Sequence, residues 1–221
     1  MHHTNDQSNT APADGSYDTV AAPAAAELRV QRSRFLASVA PAATPEAVAA
    51  HVAAVARRYH DCRHVCHAWR LGWGPSLREG RHDAGEPSGT AGEPILSVLR
   101  GAGVSDTVLV VARYFGGIKL GTGGLGRAYR DAAARALAAA PRRRVVPGAL
   151  LELRLAYGDL GAARRLLAEA GGAVRDETYG EREVHWRAWL PRAAAEPFLA
   201  RLVEATAGRA GGRLLPEEPP A

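Results

Sequence analysis

The segment RYFGGIKLGTGGLGRAYR, residues 113–130, places six glycines among basic side chains, a composition that suits the binding of an anion. Glycine allows the backbone to adopt positive φ and to approach a ligand closely. A helix that begins near Leu125 would add unpaired N–H groups and a partial positive charge. The alternative is a turn that lets a strand and a helix pack tightly, with the arginines in solvent. The candidate phosphate-binding residues are Arg113, Lys119, Gly121, Gly123, Gly124, Arg127 and Arg130.

The same segment lacks the spacing of two common nucleotide-binding motifs. GTGGLG (121–126) fits the pattern G-x-G-x-x-G, but a dinucleotide site needs its glycines directly after a strand, and GGIKL intervenes here. Lys119 also lacks the G-K-[ST] context of a P-loop. The standard forms of both motifs are therefore excluded, and a more general contact with phosphate remains.

A second cluster, HDCRHVCH (60–67), contains three histidines and two cysteines and invites a zinc interpretation. If this segment is a strand, Cys62 and Cys66 lie on one face about 13 Å apart. Zinc ligands all lie within about 2.3 Å of the metal, so we predict no metal site. Cys66 is then either a nucleophile beside His64 or a buried thiol. His64 and Cys66 are candidate pocket residues in both cases.

The segment RHDAGEPSGTAGEP (81–94) combines acids and hydroxyls with three glycines. One interpretation is a mobile binding loop whose carboxylates contact a metal or a substrate hydroxyl. The other is turn chemistry, because Pro, Ser, Gly and Asp all favour turns, followed by a cap for the next helix. The residue types leave both open. The candidate loop residues are Asp83, Glu86, Ser88 and Thr90.

Periodicity predicts the elements that would position these residues. Thr44 is a suitable N-cap with Pro45 at the first helical position, and apolar residues then recur at helical spacing. The nearly continuous apolar run at 106–115 predicts a central strand. The predicted order is one or two strands over 26–42, a helix over 45–59, a strand over 63–72, a loop over 73–92, a short helix over 93–100, the strand over 106–115 and a helix over 127–140.

The pattern changes after PRRRVVPG (141–148), which has a proline near each end and is predicted to be a linker. The residues that follow alternate between strand and helix patterns in the order β-α-β-β-α-β. This order within about 70 residues is typical of a ferredoxin-like sandwich. The predicted elements are strands at 149–157, 173–179, 183–190 and 211–216 and helices at 160–170 and 193–207.

The net charge of +5 is unevenly distributed. Residues 26–146 hold 18 Lys+Arg against 9 Asp+Glu, whereas residues 147–221 hold 10 against 11. The first region therefore favours an anionic partner, the alternative being a solvated surface in an arginine-biased chain. No apolar run is long enough to cross a membrane. The first 25 residues resemble a disordered polar tail rather than a signal peptide, which favours the cytoplasm and free thiols.

Four segments together resemble the YigZ/IMPACT family, in its bacterial two-domain form. They are SRFLA, HVCHAWRLG, DAGEPSGTAGEPIL and VVARYFGGIKLGTGGLGRAY, and the resemblance covers roughly residues 27–140, with 147–216 resembling the C-terminal domain. It implies an N-terminal α/β domain of the kind found in ribosomal proteins and elongation factor G, and a C-terminal domain similar to another elongation-factor module. It also implies a role around nucleic acid or the ribosome.

We therefore expect an α+β protein in three parts. These are a disordered tail over 1–25, an N-terminal domain with elongation-factor-like β-α-β modules over 26–143, and a ferredoxin-like α/β sandwich over 147–216. Its expected function is non-enzymatic binding of RNA or the ribosome in the regulation of translation, with no cofactor. One alternative is an enzyme that acts on a phosphorylated small molecule or nucleotide through the same anion site. Another is a module whose C-terminal domain docks a protein partner.

Overall fold

The computed structural model describes residues 15–216, in which residues 17–145 form one compact unit and residues from 146 onwards form the body of a second. The predicted boundaries of the two domains were 26–143 and 147–216. The elements of the N-terminal unit are β1 (Tyr17–Val20), β2 (Ala24–Val30), β3 (Ser33–Pro41), α1 (Pro45–Arg58), β4 (His64–Leu71), β5 (Arg78–His82), α2 (Gly92–Gly101), β6 (Thr107–Tyr114), α3 (Gly121–Ala139) and β7 (Arg142–Val145).

The N-terminal unit is built on a five-stranded antiparallel sheet in the order β2-β3-β6-β4-β5. Its central strand β6 is fully buried over residues 108–112, as the continuous apolar run predicts. Helix α1 covers one face through Val48 and Val55. Helices α2 and α3 cover the other face, where Leu99 and Tyr129 are fully buried. The predicted α+β class is confirmed.

Local signals place α1 as expected. The N–H of Ala47 donates a hydrogen bond of 3.2 Å to the Thr44 hydroxyl, and Pro45 occupies the first helical position. This cap satisfies one of the free N–H groups that every helix start exposes. The helix ends at Arg58, one residue before the predicted end.

The predicted loop over 73–92 is wrong in part, because it contains the edge strand β5. The sequence REGRH has little intrinsic preference for a strand. Its pairing with β4, from Leu71 opposite Arg78 to His67 opposite His82, supplies the backbone hydrogen bonds instead. Pairing with the preceding strand therefore overrides local propensity at this edge.

Two further expectations fail for a related reason. The tail predicted over 1–25 contains β1 and the start of β2, and the linker predicted over 141–148 contains β7. Strands β1 and β7 pair with each other, from Tyr17 opposite Val145 to Val20 opposite Arg142. Neither segment has a local sequence pattern that predicts a strand. Each strand is stabilised by a partner more than 100 residues away. Residues 1–14 of the predicted tail lie outside the described residues.

The C-terminal unit has the predicted ferredoxin-like architecture. Its four antiparallel strands lie in the order β11-β8-β10-β9, with core side chains from both helices packed on the sheet, and Trp186 is fully buried in that core. Across residues 15–216, no helix is long and apolar enough to cross a membrane. The elements are β8 (Gly148–Ala156), α4 (Leu160–Glu169), β9 (Ala173–Tyr179), β10 (Glu183–Pro191), α5 (Arg192–Ala205) and β11 (Gly211–Leu214).

A close backbone approach gives a first prediction. Gly116 follows β6 and packs on the turn between β2 and β3, where an added Cβ would lie 2.2 Å from the Arg32 carbonyl carbon. Backbone atoms cannot rotate away, so Gly116→Ala should lower the free energy of unfolding by about 1–3 kcal/mol. Gly101 is the matched control, because an added Cβ there meets no atom within 4 Å. Urea denaturation of both variants checks this, and equal stabilities would contradict it.

Candidate functional site

The site is a cavity of about 710 Å³ in the N-terminal unit. It lies where the ends of β4 and β6 meet the start of α3 and the loop that follows β5. Its volume falls in the range of small-ligand pockets, about 300–1,000 Å³. Five of the predicted site residues line it, namely His64, Glu86, Arg113, Lys119 and Gly121. The other lining residues are Asp61, Arg63, Pro87, Tyr114, Phe115, Leu120, Thr122 and Leu125.

A buried ion pair forms part of the cavity wall. Arg113 Nη1 donates to both oxygens of Glu86, at 2.8 and 3.0 Å, and the two side chains are only 7% and 4% exposed. The Tyr129 hydroxyl donates a further hydrogen bond of 2.7 Å to Glu86 Oε1. The guanidinium carbon of Arg113 lies 5.5 Å from the centre of the Phe35 ring and 5.4 Å from that of Phe115. Arg113 Nε is buried with no hydrogen-bond partner.

The start of α3 forms another wall, and it differs from the expected bare glycine turn. The helix was expected near Leu125 but begins at Gly121, so Gly123 and Gly124 lie within its first turn. Gly121 has a φ of +67°, a conformation that glycine adopts without strain. No side chain caps this end, and its first turn holds no acidic residue. The uncapped N–H groups and the positive end of the helix dipole therefore remain available at the cavity.

The loop residues divide between the two interpretations that the sequence left open. Asp83 has a structural role, because its carboxylate accepts hydrogen bonds from the N–H groups at the start of α2. Thr90 likewise makes a local turn, donating a 2.6 Å hydrogen bond to the Pro87 carbonyl. Ser88 is exposed and lies outside the cavity lining, so only Glu86 of the four joins the site. The bonds to Asp83 come from Gly89 at 2.9 Å, Ala91 at 3.0 Å and Gly92 at 2.7 Å.

His64 and Cys66 have different environments. His64 borders the cavity and its Nδ1 donates a 2.9 Å hydrogen bond to the Ala84 carbonyl. Cys66 is fully buried, and its thiol donates to the Asp83 carbonyl at 3.0 Å. Burial raises the pKa of Cys66 to about 12. A thiol that stays protonated and enclosed is a poor nucleophile, which favours the buried-thiol interpretation.

Arg127 and Arg130 are exposed on α3 and do not line the cavity. The sequence reasoning missed Asp61, Arg63 and Phe115, which do line it. Asp61 and Arg63 lie within HDCRHVCH and Phe115 lies within RYFGGIKLGTGGLGRAYR, all three close to the end of a strand, and that position was the available signal. In the stretch from 15 to 216, no three His, Cys, Asp or Glu side chains are grouped so that they could hold a metal ion.

Comparison with known proteins agrees with the two-unit architecture. Residues 31–137 match the family model of the Impact N-terminal domain, and residues 153–209 match a domain of unknown function (DUF1949). IMPACT family member YigZ of Escherichia coli (strain K12) is 36% identical over 85% of this chain and 92% of its own length. The chain belongs to the IMPACT family. A second family member, from the pol 5′ region of Thermus thermophilus, is 39% identical over 81% of this chain and 97% of its own length.

A solved structure agrees with this assignment. The crystal structure of a hypothetical protein, 36% identical, aligns with 92% of this chain and 98% of its own, with a TM-score of 0.64. The IMPACT fold is therefore shared along nearly the whole chain.

The capping role of Asp83 predicts a pH-dependent stability. Burial acts to raise the pKa of Asp83, but the three backbone N–H groups outweigh it and hold the pKa below its ordinary value. The stabilisation is therefore complete above the ordinary pKa of about 3.9 and is lost as the pH falls through the lowered folded-state pKa. Asp83→Asn should lower the free energy of unfolding by about 1–2 kcal/mol at pH 7. Urea denaturation should show this difference shrinking below pH 4, and a difference independent of pH would contradict the assignment.

The buried ion pair predicts a large and asymmetric energetic effect. Glu86→Ala leaves Arg113 buried without its counter-charge and should lower the free energy of unfolding by about 3–5 kcal/mol. Tyr129→Phe removes one hydrogen bond to the same carboxylate and should cost about 1 kcal/mol. Chemical denaturation of the two variants measures both, and equal costs would contradict the importance of the pair.

Proposed function

We propose that this IMPACT family protein binds single-stranded RNA through its N-terminal unit, acts with the ribosome in the regulation of translation, and catalyses no reaction. The observation that carries the proposal is one surface that combines a basic cavity, an uncapped helix start and an exposed aromatic ring. Such surfaces bind the phosphate backbone of a single strand through their positive charge and stack its bases on aromatic rings.

The charges near the cavity are free to contact phosphates. Lys119, Arg127 and Arg130 are exposed and form no ion pair with any other residue between 15 and 216. Arg63 adds another exposed charge at the cavity. Positive charge near a helix N-terminus opposes the helix dipole, so these cations do not stabilise the fold. Binding to the phosphates of a polyanion gives them a favourable interaction instead.

Phe115 supplies the stacking element. Its side chain is 55% exposed even though it is large and apolar, and Ile118 nearby is 44% exposed. The Arg113 guanidinium packs against the Phe115 ring. A base stacked on an aromatic side chain of this kind contributes about 1–3 kcal/mol. The ring and the neighbouring cations together favour single-stranded RNA over a duplex, whose bases are already stacked.

The other parts of the proposal follow from the chain as a whole. Both cysteines are free thiols, which suits the reducing cytoplasm. Residues 147–221 carry 10 basic and 11 acidic side chains and so lack the excess positive charge that favours RNA. We therefore assign a protein partner to the C-terminal unit. Its ferredoxin-like fold alone does not specify a function.

A second candidate function is catalysis on a phosphorylated small molecule, which the size of the cavity favours. Its candidate acid–base groups are Asp83, Glu86 and His64, but Asp83 caps a helix and Glu86 is held by Arg113 and Tyr129. His64 is the group that remains. A thermal shift with a sugar phosphate or a nucleotide, with no effect of RNA, would favour this candidate.

Salt dependence of RNA binding tests the proposal. Each phosphate contact on a single strand contributes about 0.7 to the slope of log K against log salt. Arg127→Ala/Arg130→Ala should therefore reduce the slope by about 1.4. Arg57→Ala/Arg58→Ala is the matched control, because it removes the same charge from exposed positions on α1, across the sheet. Fluorescence anisotropy measures both, and equal slopes would contradict the assigned surface.

A further inference from the structure

Arg113 has an unused hydrogen-bonding edge. Its Nη1 is engaged with Glu86, while Nε is buried and unpartnered. Within the described part of the chain, Nη2 also has no hydrogen-bond partner. Nε–H and the adjacent Nη2–H form the fork that binds carboxylate or phosphate oxygens in pairs. Leaving such donors unmet in a buried group is costly, so this edge points to an oxyanion ligand.

The fork belongs to a residue that lines the cavity, as do Lys119, Gly121 and Thr122 at the start of α3. A helix N-terminus attracts anions through its free N–H groups and its dipole. This helix is 19 residues long and has no side-chain cap. Two independent features, a buried arginine and an uncapped helix start, therefore border one cavity, and both favour an anionic ligand.

The two acids of the cavity do not cancel this preference. Glu86 is hydrogen-bonded to Arg113 and Tyr129, so its charge is already balanced. Asp61 accepts a hydrogen bond from the Tyr114 hydroxyl, which lowers its pKa, so Asp61 stays ionised and offsets one of the cavity's cations. Arg63 and Lys119 remain as cations with no acidic partner among residues 15–216. The cavity thus carries a net positive charge.

We propose that the cavity binds the terminal phosphate monoester of a single-stranded RNA. This inference rests on the proposed function and names the part of the RNA that the site recognises. A terminal monoester offers three free oxygens and a charge between about −1.5 and −2, whereas an internal phosphodiester offers two oxygens and one charge. Three sets of donors belong to the cavity wall, namely the Arg113 side chain, Lys119 and the amides at the start of α3.

The position of the arginine favours a chain end over an internal phosphate. Arg113 is 7% exposed, so its fork is reached only by a group that enters the cavity. An internal phosphate carries chain on both sides and cannot enter as far as a terminal one. Phe115 also lines the cavity and is 55% exposed, so the terminal base stacks on its ring while the phosphate lies beneath.

Competition anisotropy tests this inference with unlabelled RNAs of one sequence that carry hydroxyl ends, a 5′-phosphate or a 3′-phosphate. One of the phosphorylated RNAs should compete about tenfold or more better than the hydroxyl RNA, because charge-assisted hydrogen bonds are gained. Equal competition by all three would overturn the inference and leave RNA binding intact. Binding of a nucleoside monophosphate without binding of RNA, or no binding at all, would overturn both proposals.

Variants locate the preference within the site. Lys119→Ala, at an exposed position that should not affect folding, should remove most of the preference for the phosphorylated end. Arg113→Lys keeps the charge but removes the fork, and should have the same effect if circular dichroism confirms that it folds. Arg127→Ala/Arg130→Ala should weaken all three RNAs equally. A preference that survives Lys119→Ala, or that disappears only in the Arg127/Arg130 variant, would overturn the assignment.

Discussion

The N-terminal unit depends on one buried carboxylate, that of Glu86, which joins three segments that are distant in the chain. It lies in the loop after β5 and accepts hydrogen bonds from Arg113 on β6 and Tyr129 on α3. Burying a charge pair costs several kcal/mol in lost hydration, and only close geometry with further hydrogen bonds offsets this cost. The three hydrogen bonds to Glu86 meet that condition. Removing any one partner therefore disturbs the strand, the loop and the helix together.

Hydrogen bonds fix the loop that carries Glu86 to α2 and to β4. Asp83 joins its start to α2, and the Ala84 carbonyl accepts a hydrogen bond from His64. Ala84 and Gly85 both have positive φ, at 49° and 84°, which turns the chain sharply before Glu86. The turn residues of this loop thus position the Glu86 carboxylate in the cavity wall.

Local signals in the sequence identified most helices and the C-terminal fold. The Thr44 cap, the apolar run of β6 and the alternating strands of the ferredoxin-like unit all depend on neighbouring residues. Strands β1 and β7 depend on partners more than 100 residues away, β5 depends on its pairing with β4, and no local pattern indicated any of the three. The start of α3 was placed too late, because glycines lower helix propensity while the packing of Leu125 and Tyr129 on the sheet stabilises the first turns.

The same limit applies to the site. Arg113 and Glu86 were each singled out, but they were assigned to separate sites, since a pair 27 residues apart leaves no local trace. Phe115, Arg63 and Asp61 were missed because the cavity forms only when the ends of two strands meet α3. Residue types singled out five residues that line the cavity, but they did not indicate that these residues come together.

The pairing of β1 with β7 has a consequence for how this unit can be built into proteins. Tyr17 lies directly opposite Val145, so the unit begins and ends at neighbouring points. A domain with adjacent ends tolerates insertion into a surface loop of another polypeptide and tolerates circular permutation. Inserting the N-terminal unit, with its cavity, into a loop of another protein would therefore not require the two ends of that loop to move apart.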